Sequence, residues 1–167
     1  MKINLFFYSF QLLKYSQINI LCCLLKSVSS KDKKNNLLFT LKELEFIKNN
    51  EICRIASSYN DKPHVVPVCY IYLNNFFYFA TDYETKKYHN LVHNNNICLV
   101  IDEYDPIHGN RALVVSGSVH FIERGSKFIG LYRFFEKKFP WVKKSPWKED
   151  EAPFVEINID SKVSWGL

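Results

Sequence analysis

The segment FATDYETKKYHNL, residues 79–91, places threonines and two adjacent lysines where a predicted β-strand ends and a predicted helix begins. Thr85 is positioned to cap this helix, whose first N–H groups lack partners within the helix and whose dipole is positive at this end. Lys86 and Lys87 add two positive charges at the same point. A phosphate would accept hydrogen bonds from both the N–H groups and the ammonium groups. The pattern therefore predicts an anion site, unless both lysines simply point into water.

Two other sets of side chains have the residue types of a metal site. His89 and His93 lie four residues apart on the same short helix, a spacing that can hold zinc or face a haem. No third ligand accompanies them, so the sequence favours a solvated helix face. The second set is acidic and consists of Asp102, Glu103, Asp105 and His108. It lacks the ligand spacing of a calcium loop and favours a solvent-facing turn, so we expect no metal site.

Turn and capping signals divide the chain from Thr40 onward into helices and strands. Thr40 and Glu43 form a predicted capping box for a first helix, and Ser126 is the predicted cap of the last one. Between them, HVVPVCYIYL is predicted as one strand that returns through the turn Asn74-Asn75. Five or six antiparallel strands with two or three helices predict an α+β domain, built as a closed or partly open barrel.

The net charge of +5 is confined to the start of the chain. Residues 1–34 carry six lysines and one aspartate, whereas the remainder has 16 basic and 16 acidic residues. A nucleic-acid surface needs clustered positive charge, which the neutral remainder does not supply, so we expect no nucleic-acid partner. We expect residues 1–35 to be a basic, apolar extension, amphipathic or disordered, and residues 36–167 to form the domain.

The leading residues are apolar, but polar side chains interrupt them. Gln11, Lys14 and Gln17 leave no uncharged stretch of about 18 residues, so we expect no membrane span. The five cysteines are odd in number and contain no CxxC pair, and three of them fall in strand-like runs. Free, buried thiols are typical of a reducing compartment, so we expect a cytoplasmic protein.

The order of these elements resembles a known family. The run PHVVPVCYIYLNNFFYFATDYETKKYHNLVHNNNICLVID, residues 63–102, resembles the pyridoxamine 5′-phosphate oxidase-like family of FMN-binding split barrels. In that family a strand pair leads into hydroxyl and basic residues that hold the flavin phosphate. The resemblance extends from about Phe39 to Leu167 and includes VSWGL at the end of the chain. It implies an antiparallel split β-barrel with flanking helices.

The resemblance also assigns cofactor-binding positions. They comprise a phosphate run, a strand along the flavin ring, a segment that approaches the flavin from the second subunit of a homodimer, and a C-terminal aromatic. The phosphate run consists of Thr81, Thr85, Lys86 and Lys87, and the strand along the ring carries Val66, Pro67 and Val68. The segment from the second subunit corresponds to Ser116 and Gly117, and the C-terminal aromatic is Trp165. Proline on the ring-facing strand suits an edge position because it cannot donate to a neighbouring strand.

Several positions depart from the oxidase itself. Its basic pair on the second strand corresponds to Val65 and Tyr70, and its later glutamine corresponds to Ala112. Arg54 could supply replacement charge, or could instead pair with Asp61 or Glu51. These departures weaken the case for pyridoxamine 5′-phosphate as the substrate.

The resemblance implies a flavin-dependent oxidoreductase that transfers two electrons to or from a small organic molecule. FMN would carry the redox chemistry, with a deazaflavin as the alternative, and no side chain is identified as catalytic. The competing hypothesis is a non-catalytic protein that binds, stores or senses flavin, deazaflavin or haem. The high aromatic content of 16% also favours a buried interface between two copies of the chain.

Overall fold

Seven antiparallel strands and three α-helices make up the part of the chain that the structure describes. The computed structural model describes residues 39–107 and 109–167. The helices are α1 (Leu41–Asn49), α2 (Lys86–His93) and α3 (Ser126–Lys138), followed by a short 3-10 helix (Pro140–Lys143). The strands are β1 (Ile52–Tyr59), β2 (Lys62–Cys69), β3 (Ile71–Leu73), β4 (Phe76–Ala80), β5 (Asn96–Asp105), β6 (Gly109–Ile122) and β7 (Phe154–Trp165).

All seven strands belong to one sheet in the order β2-β1-β5-β6-β7-β4-β3. Strand β2, at one edge, also contacts β4 near the other edge, so the sheet curls into a half-barrel. The predicted α+β split barrel is therefore confirmed. The predicted extension of residues 1–35 lies outside the described residues.

Short-range signals produce the predicted local structure. The Thr40 hydroxyl accepts the N–H of Glu43, and the Glu43 carboxylate accepts the N–H of Thr40, which confirms the capping box. Asn74 and Asn75 have φ values of 51° and 68°, the left-handed conformation that a tight hairpin requires. These turns and caps fix where α1 begins and where β3 reverses into β4.

Two predicted boundaries are wrong. The run HVVPVCYIYL forms two strands because Tyr70, fully buried, leaves the ladder between them. Its N–H donates to Glu51 O (3.2 Å) and its hydroxyl donates to Ile47 O (2.7 Å), which ties this residue to the end of α1. Helix α3 is preceded by Gly125 with φ of 88° and no side-chain cap, so Ser126 is its first residue and not its cap.

The outer face of the sheet differs between its two ends. At the β3-β4-β7 end, Tyr78, Phe154 and Ile122, the last residue of the neighbouring β6, pack under α3 and the 3-10 helix in one apolar cluster. At the β2-β1-β5-β6 end, which also includes the C-terminal half of β7, no described helix covers this face, and Val65 and Val163 remain 62% and 60% exposed. The same sheet face is therefore core at one end and surface at the other.

Candidate functional site

The predicted anion site lies where β4 leads into α2. Thr81 directly follows β4, and its N–H donates to Pro153 O at 3.1 Å. Thr85 is the N-cap of α2, and its hydroxyl accepts the N–H of Tyr88 at 3.3 Å, which confirms the predicted cap. The hydroxyl oxygens of Thr81 and Thr85 lie 2.8 Å apart. The end of the strand thus holds both threonines together at the helix start.

The hydroxyl protons of this pair are already used within the loop. The Asp82 carbonyl accepts from the Thr85 hydroxyl at 2.8 Å and lies 3.3 Å from the Thr81 hydroxyl, so one threonine hydroxyl can donate to this carbonyl and the other to its neighbouring hydroxyl. The carbonyl of Thr85 accepts the N–H of His89 at 3.1 Å. Across residues 39–107 and 109–167, no acceptor takes the N–H groups of Lys86 and Lys87. These two backbone donors are available to an anion, whereas either hydroxyl must rotate to reach one.

The two lysine side chains differ in their surroundings. Lys86 is exposed, whereas Lys87 is half-buried, and burial lowers the pKa of Lys87 while the nearby Asp82 carboxylate opposes that change. Neither ammonium forms an ion pair with any residue that the structure describes. A partly desolvated ammonium without a counter-ion is stabilised by a bound anion. The residues present therefore fit a phosphate group.

Contacts along α2 hold its start in place. Asn90 and Ser57 are both buried, and the Asn90 amide donates to the Ser57 hydroxyl at 3.2 Å. The predicted solvated face is confirmed, since His89 and His93 are exposed and their rings pack against Tyr59 at 5.6 and 4.3 Å between centroids. The described residues contain no cluster of three or more ligand-type side chains that could hold a metal.

The predicted ring-facing strand is an edge of the sheet. Strand β2 carries Val66, Pro67 and Val68 and has β1 as its single neighbour in the sheet. It also contacts α2 and β4, so it lies beside the elements that carry the threonines and lysines. Within one chain, the structure thus brings the edge strand and the anion site into the same region.

Ser116 and Gly117 occupy a different groove, of about 420 Å³, with Pro63 and Asp160 among its other lining residues. The pairing of β6 with β7 shifts register between Ser116 and Gly117. A Cβ atom on Gly117 would lie 1.9 Å from Asn158 O, so no other residue fits this position. The close approach of β7 is sufficient to explain this glycine.

Trp165 lies at the end of β7, opposite Ala112, and lines a third groove of about 360 Å³ that includes Val65. Two ion pairs cross this groove, Arg54 to Asp102 and Arg111 to Glu103. The predicted pairing of Arg54 with Asp61 or Glu51 is therefore wrong.

The predicted acidic turn is also wrong, because Asp102, Glu103 and Asp105 belong to β5. His108 lies outside the described residues. Asp102 and Arg54 are brought together across the β1–β5 ladder, where Arg54 pairs with Val100, two residues from Asp102. A single arginine in each of β1 and β6, and the acidic residues at the end of β5, could have indicated these pairs, but strand order was needed to assign them.

A curled antiparallel half-barrel, with the predicted anion site beside its edge strand, defines a split-barrel protein. A family model described as pyridoxamine 5′-phosphate oxidase matches residues 39–161. The chain therefore belongs to the pyridoxamine 5′-phosphate oxidase family, as the sequence resemblance predicted. No curated protein matches the sequence significantly.

Solved structures with the same fold bind different cofactors. A FAD-binding protein from Mesorhizobium loti aligns with a TM-score of 0.63 at 21% identity, covering 76% of this chain and 92% of its own. HutZ, the haem storage protein from Vibrio cholerae, aligns with a TM-score of 0.65 at 12% identity, covering 76% and 94%. The FAD-binding protein from Mycobacterium smegmatis aligns with a TM-score of 0.55 at 16% identity, covering 77% and 95%. At these identities the likeness shows the fold alone.

Proposed function

We propose that this protein binds FMN and acts as a flavin-dependent oxidoreductase on a small organic molecule. The observation that carries the proposal is the start of α2, where Thr81 and Thr85 lie together, the N–H groups of Lys86 and Lys87 have no acceptor, and their ammonium groups have no ion-pair partner, among the described residues. Lys86, Lys87 and these N–H groups would hold the phosphate, and the edge strand β2 would offer backbone groups to the ring. Bound FMN would supply the two-electron chemistry, while the chain binds and orients it. A deazaflavin in place of FMN would need the same groups for its phosphate and its ring.

We also propose that the working form is a homodimer. Ser116, Gly117 and Trp165 line grooves separate from the anion site within one chain. The exposed apolar side chains at the β2-β1-β5-β6 end, together with Trp165 at 47% exposure, favour an interface there. A second copy on this face would add residues of its own to the cofactor site.

We place the protein in the cytoplasm. Cys53, Cys69 and Cys98 are all free, and burial raises the pKa of Cys53 to about 12, which keeps that thiol protonated and unreactive. Among residues 39–107 and 109–167, no helix is both long and apolar enough to cross a bilayer.

The test is flavin binding by the full chain and by a charge-removed variant. Wild-type protein titrated with FMN should quench flavin fluorescence at micromolar concentration. The double substitution Lys86→Ala, Lys87→Ala should weaken FMN binding by at least about 100-fold, since charge-assisted hydrogen bonds contribute about 1.5–3 kcal/mol each. The matched control is Lys143→Ala, Lys144→Ala, which removes two exposed lysines at the end of the 3-10 helix. An equal loss of FMN affinity in both double variants, or no loss in either, would reject the assignment of Lys86 and Lys87 to the phosphate site.

The second candidate is a non-catalytic protein that stores or senses flavin or haem. The alignment with HutZ favours it, because that haem storage protein has the same fold. To distinguish the oxidoreductase from the storage protein, the cofactor-bound protein is reduced anaerobically and then exposed to candidate electron acceptors. Reoxidation accelerated by a small organic acceptor supports the oxidoreductase, whereas a bound pigment that nothing turns over supports storage.

A further inference from the structure

An apolar groove of about 570 Å³ lies between α1 and α3, above β3. Ile47 and Ile71 are buried in its floor. Leu44, Leu73 and Phe134 form its walls, and Phe134 is 50% exposed. The volume falls within the range of about 300–1,000 Å³ that is typical of small-molecule sites. An unbranched alkyl chain would cover these exposed apolar walls.

Three lysines line the same groove: Lys48 near the end of α1, and Lys137 and Lys138 near the end of α3. The Lys138 ammonium donates to Tyr70 O (3.1 Å) and Asn50 O (3.3 Å) and lies 4.9 Å from the centre of the Tyr70 ring. It is therefore fixed to the protein. Lys48 and Lys137 are exposed, and neither forms an ion pair within the part of the chain that the structure describes.

The local charge is positive even after the helix ends are counted. Each helix C-terminus contributes about half a negative charge, which three lysine charges exceed. The negative charge of Glu51 opposes the lowering of the pKa of Lys138 by burial. Three lysines, two helix C-termini and Glu51 together leave about one net positive charge at the groove, and Lys48 and Lys137 have no ion-pair partner among the described residues.

We propose that this groove binds a single-chain anionic amphiphile, a carboxylate with an unbranched alkyl chain of fatty-acid type. The chain would lie over Leu44, Leu73 and Phe134, and the carboxylate would pair with Lys48 and Lys137. The volume suits one such molecule, and the paired lysines select an anion over a neutral alcohol of the same length. The site shares no residue with the proposed phosphate site at Lys86 and Lys87, so each proposal stands or fails by itself.

The experiment is calorimetric titration of the full chain with decanoate, below the concentration at which decanoate forms micelles. We expect saturable binding of one decanoate per chain, with 1-decanol and decyltrimethylammonium each bound at least about ten-fold more weakly. The substitution Lys48→Gln, Lys137→Gln should weaken decanoate binding by about ten-fold, the sum of two exposed ion pairs, and leave decanol binding unchanged. Phe134→Ala should weaken both ligands several-fold because it removes apolar contact from a half-exposed wall.

The matched control is Lys143→Gln, Lys144→Gln, which changes the net charge equally outside the groove and should leave decanoate binding unchanged. Absence of saturable binding would overturn the proposal. Equal loss in the two double-lysine variants would also overturn it, since the attraction would then be to net charge. Displacement of decanoate by FMN would overturn it too, because the ligand would then occupy the flavin site.

Discussion

Replacing Glu43 with glutamine should remove a buried charge that fastens α1 to β7. Glu43 is 3% exposed, and its carboxylate accepts the N–H of Thr40 (2.6 Å), the hydroxyl of Ser164 (2.7 Å) and the ammonium of Lys162. Burial by itself raises the pKa of Glu43, but the hydrogen bonds from Lys162, Ser164 and Thr40 outweigh it and lower the pKa from 4.5 to about 2. The carboxylate is therefore charged in the folded protein throughout the physiological range.

The size of the effect follows from this pKa. The fall from 4.5 to about 2 is equivalent to about 3 kcal/mol of unfolding free energy at neutral pH, at about 1.4 kcal/mol per pH unit. Because the folded-state pKa is depressed, this stability is fully present above pH 4.5 and is lost as the pH falls towards 2. At pH 3 roughly 2 kcal/mol of it should already be gone. Glu43→Gln should therefore cost about 2–3 kcal/mol at pH 7 and much less at pH 3.

The assay is urea unfolding followed by tryptophan fluorescence at pH 7 and pH 3, at one fixed protein concentration. Glu45→Gln, on an exposed position of the same helix, is the control and should change stability by less than about 0.5 kcal/mol at either pH. Wild type should lose roughly 2 kcal/mol more than Glu43→Gln between the two pH values. A parallel loss in both proteins would refute the reasoning, because the Glu43 carboxylate would then titrate alike folded and unfolded.

Three further substitutions test packing, assembly and capping. Gly117→Ala should destabilise the protein by more than about 3 kcal/mol in urea unfolding because its Cβ meets Asn158 O, whereas Gly130→Ala, with open space around it in α3, should be neutral or stabilising. Val163→Lys, on the exposed sheet face, should halve the mass measured by sedimentation if that face joins two copies; an unchanged dimer would place the interface elsewhere. Thr85→Ala should lower stability by about 1 kcal/mol in thermal unfolding and Thr85→Ser should retain it, and equal stability of all three proteins would contradict the cap.

Features encoded within a few residues could be predicted from the sequence. The capping box at Thr40, the cap at Thr85 and the turn at Asn74-Asn75 each depend on side chains next to the backbone groups that they satisfy. The alternation of apolar residues was equally local, and it predicted the strand runs except for the division of HVVPVCYIYL into β2 and β3. The candidate site was found because it is one contiguous run at a helix start.

Features that depend on distant partners could not be predicted. Tyr70 ends β2 because its hydroxyl reaches Ile47, 23 residues away. Arg54 pairs with Asp102, 48 residues away, because β1 and β5 are neighbours in the sheet. Nothing near either residue in the sequence specifies those partners. The predicted fold class is correct despite both errors. It depends on the number of strands and on their antiparallel direction, and neither error changes the number by more than one strand.

The uneven covering of the sheet links the proposed interface to the proposed cofactor site. Helix α3 packs on the outer face at the β3-β4-β7 end, whereas Val65 and Val163 at the other end stay in water. Burial of apolar surface contributes about 25 cal/mol of free energy per Å², so covering this end would be favourable. The grooves lined by Ser116 and by Trp165 open on the same uncovered end. We therefore propose that a second copy covers this end and that Ser116 and Trp165 contribute to the cofactor site of the partner.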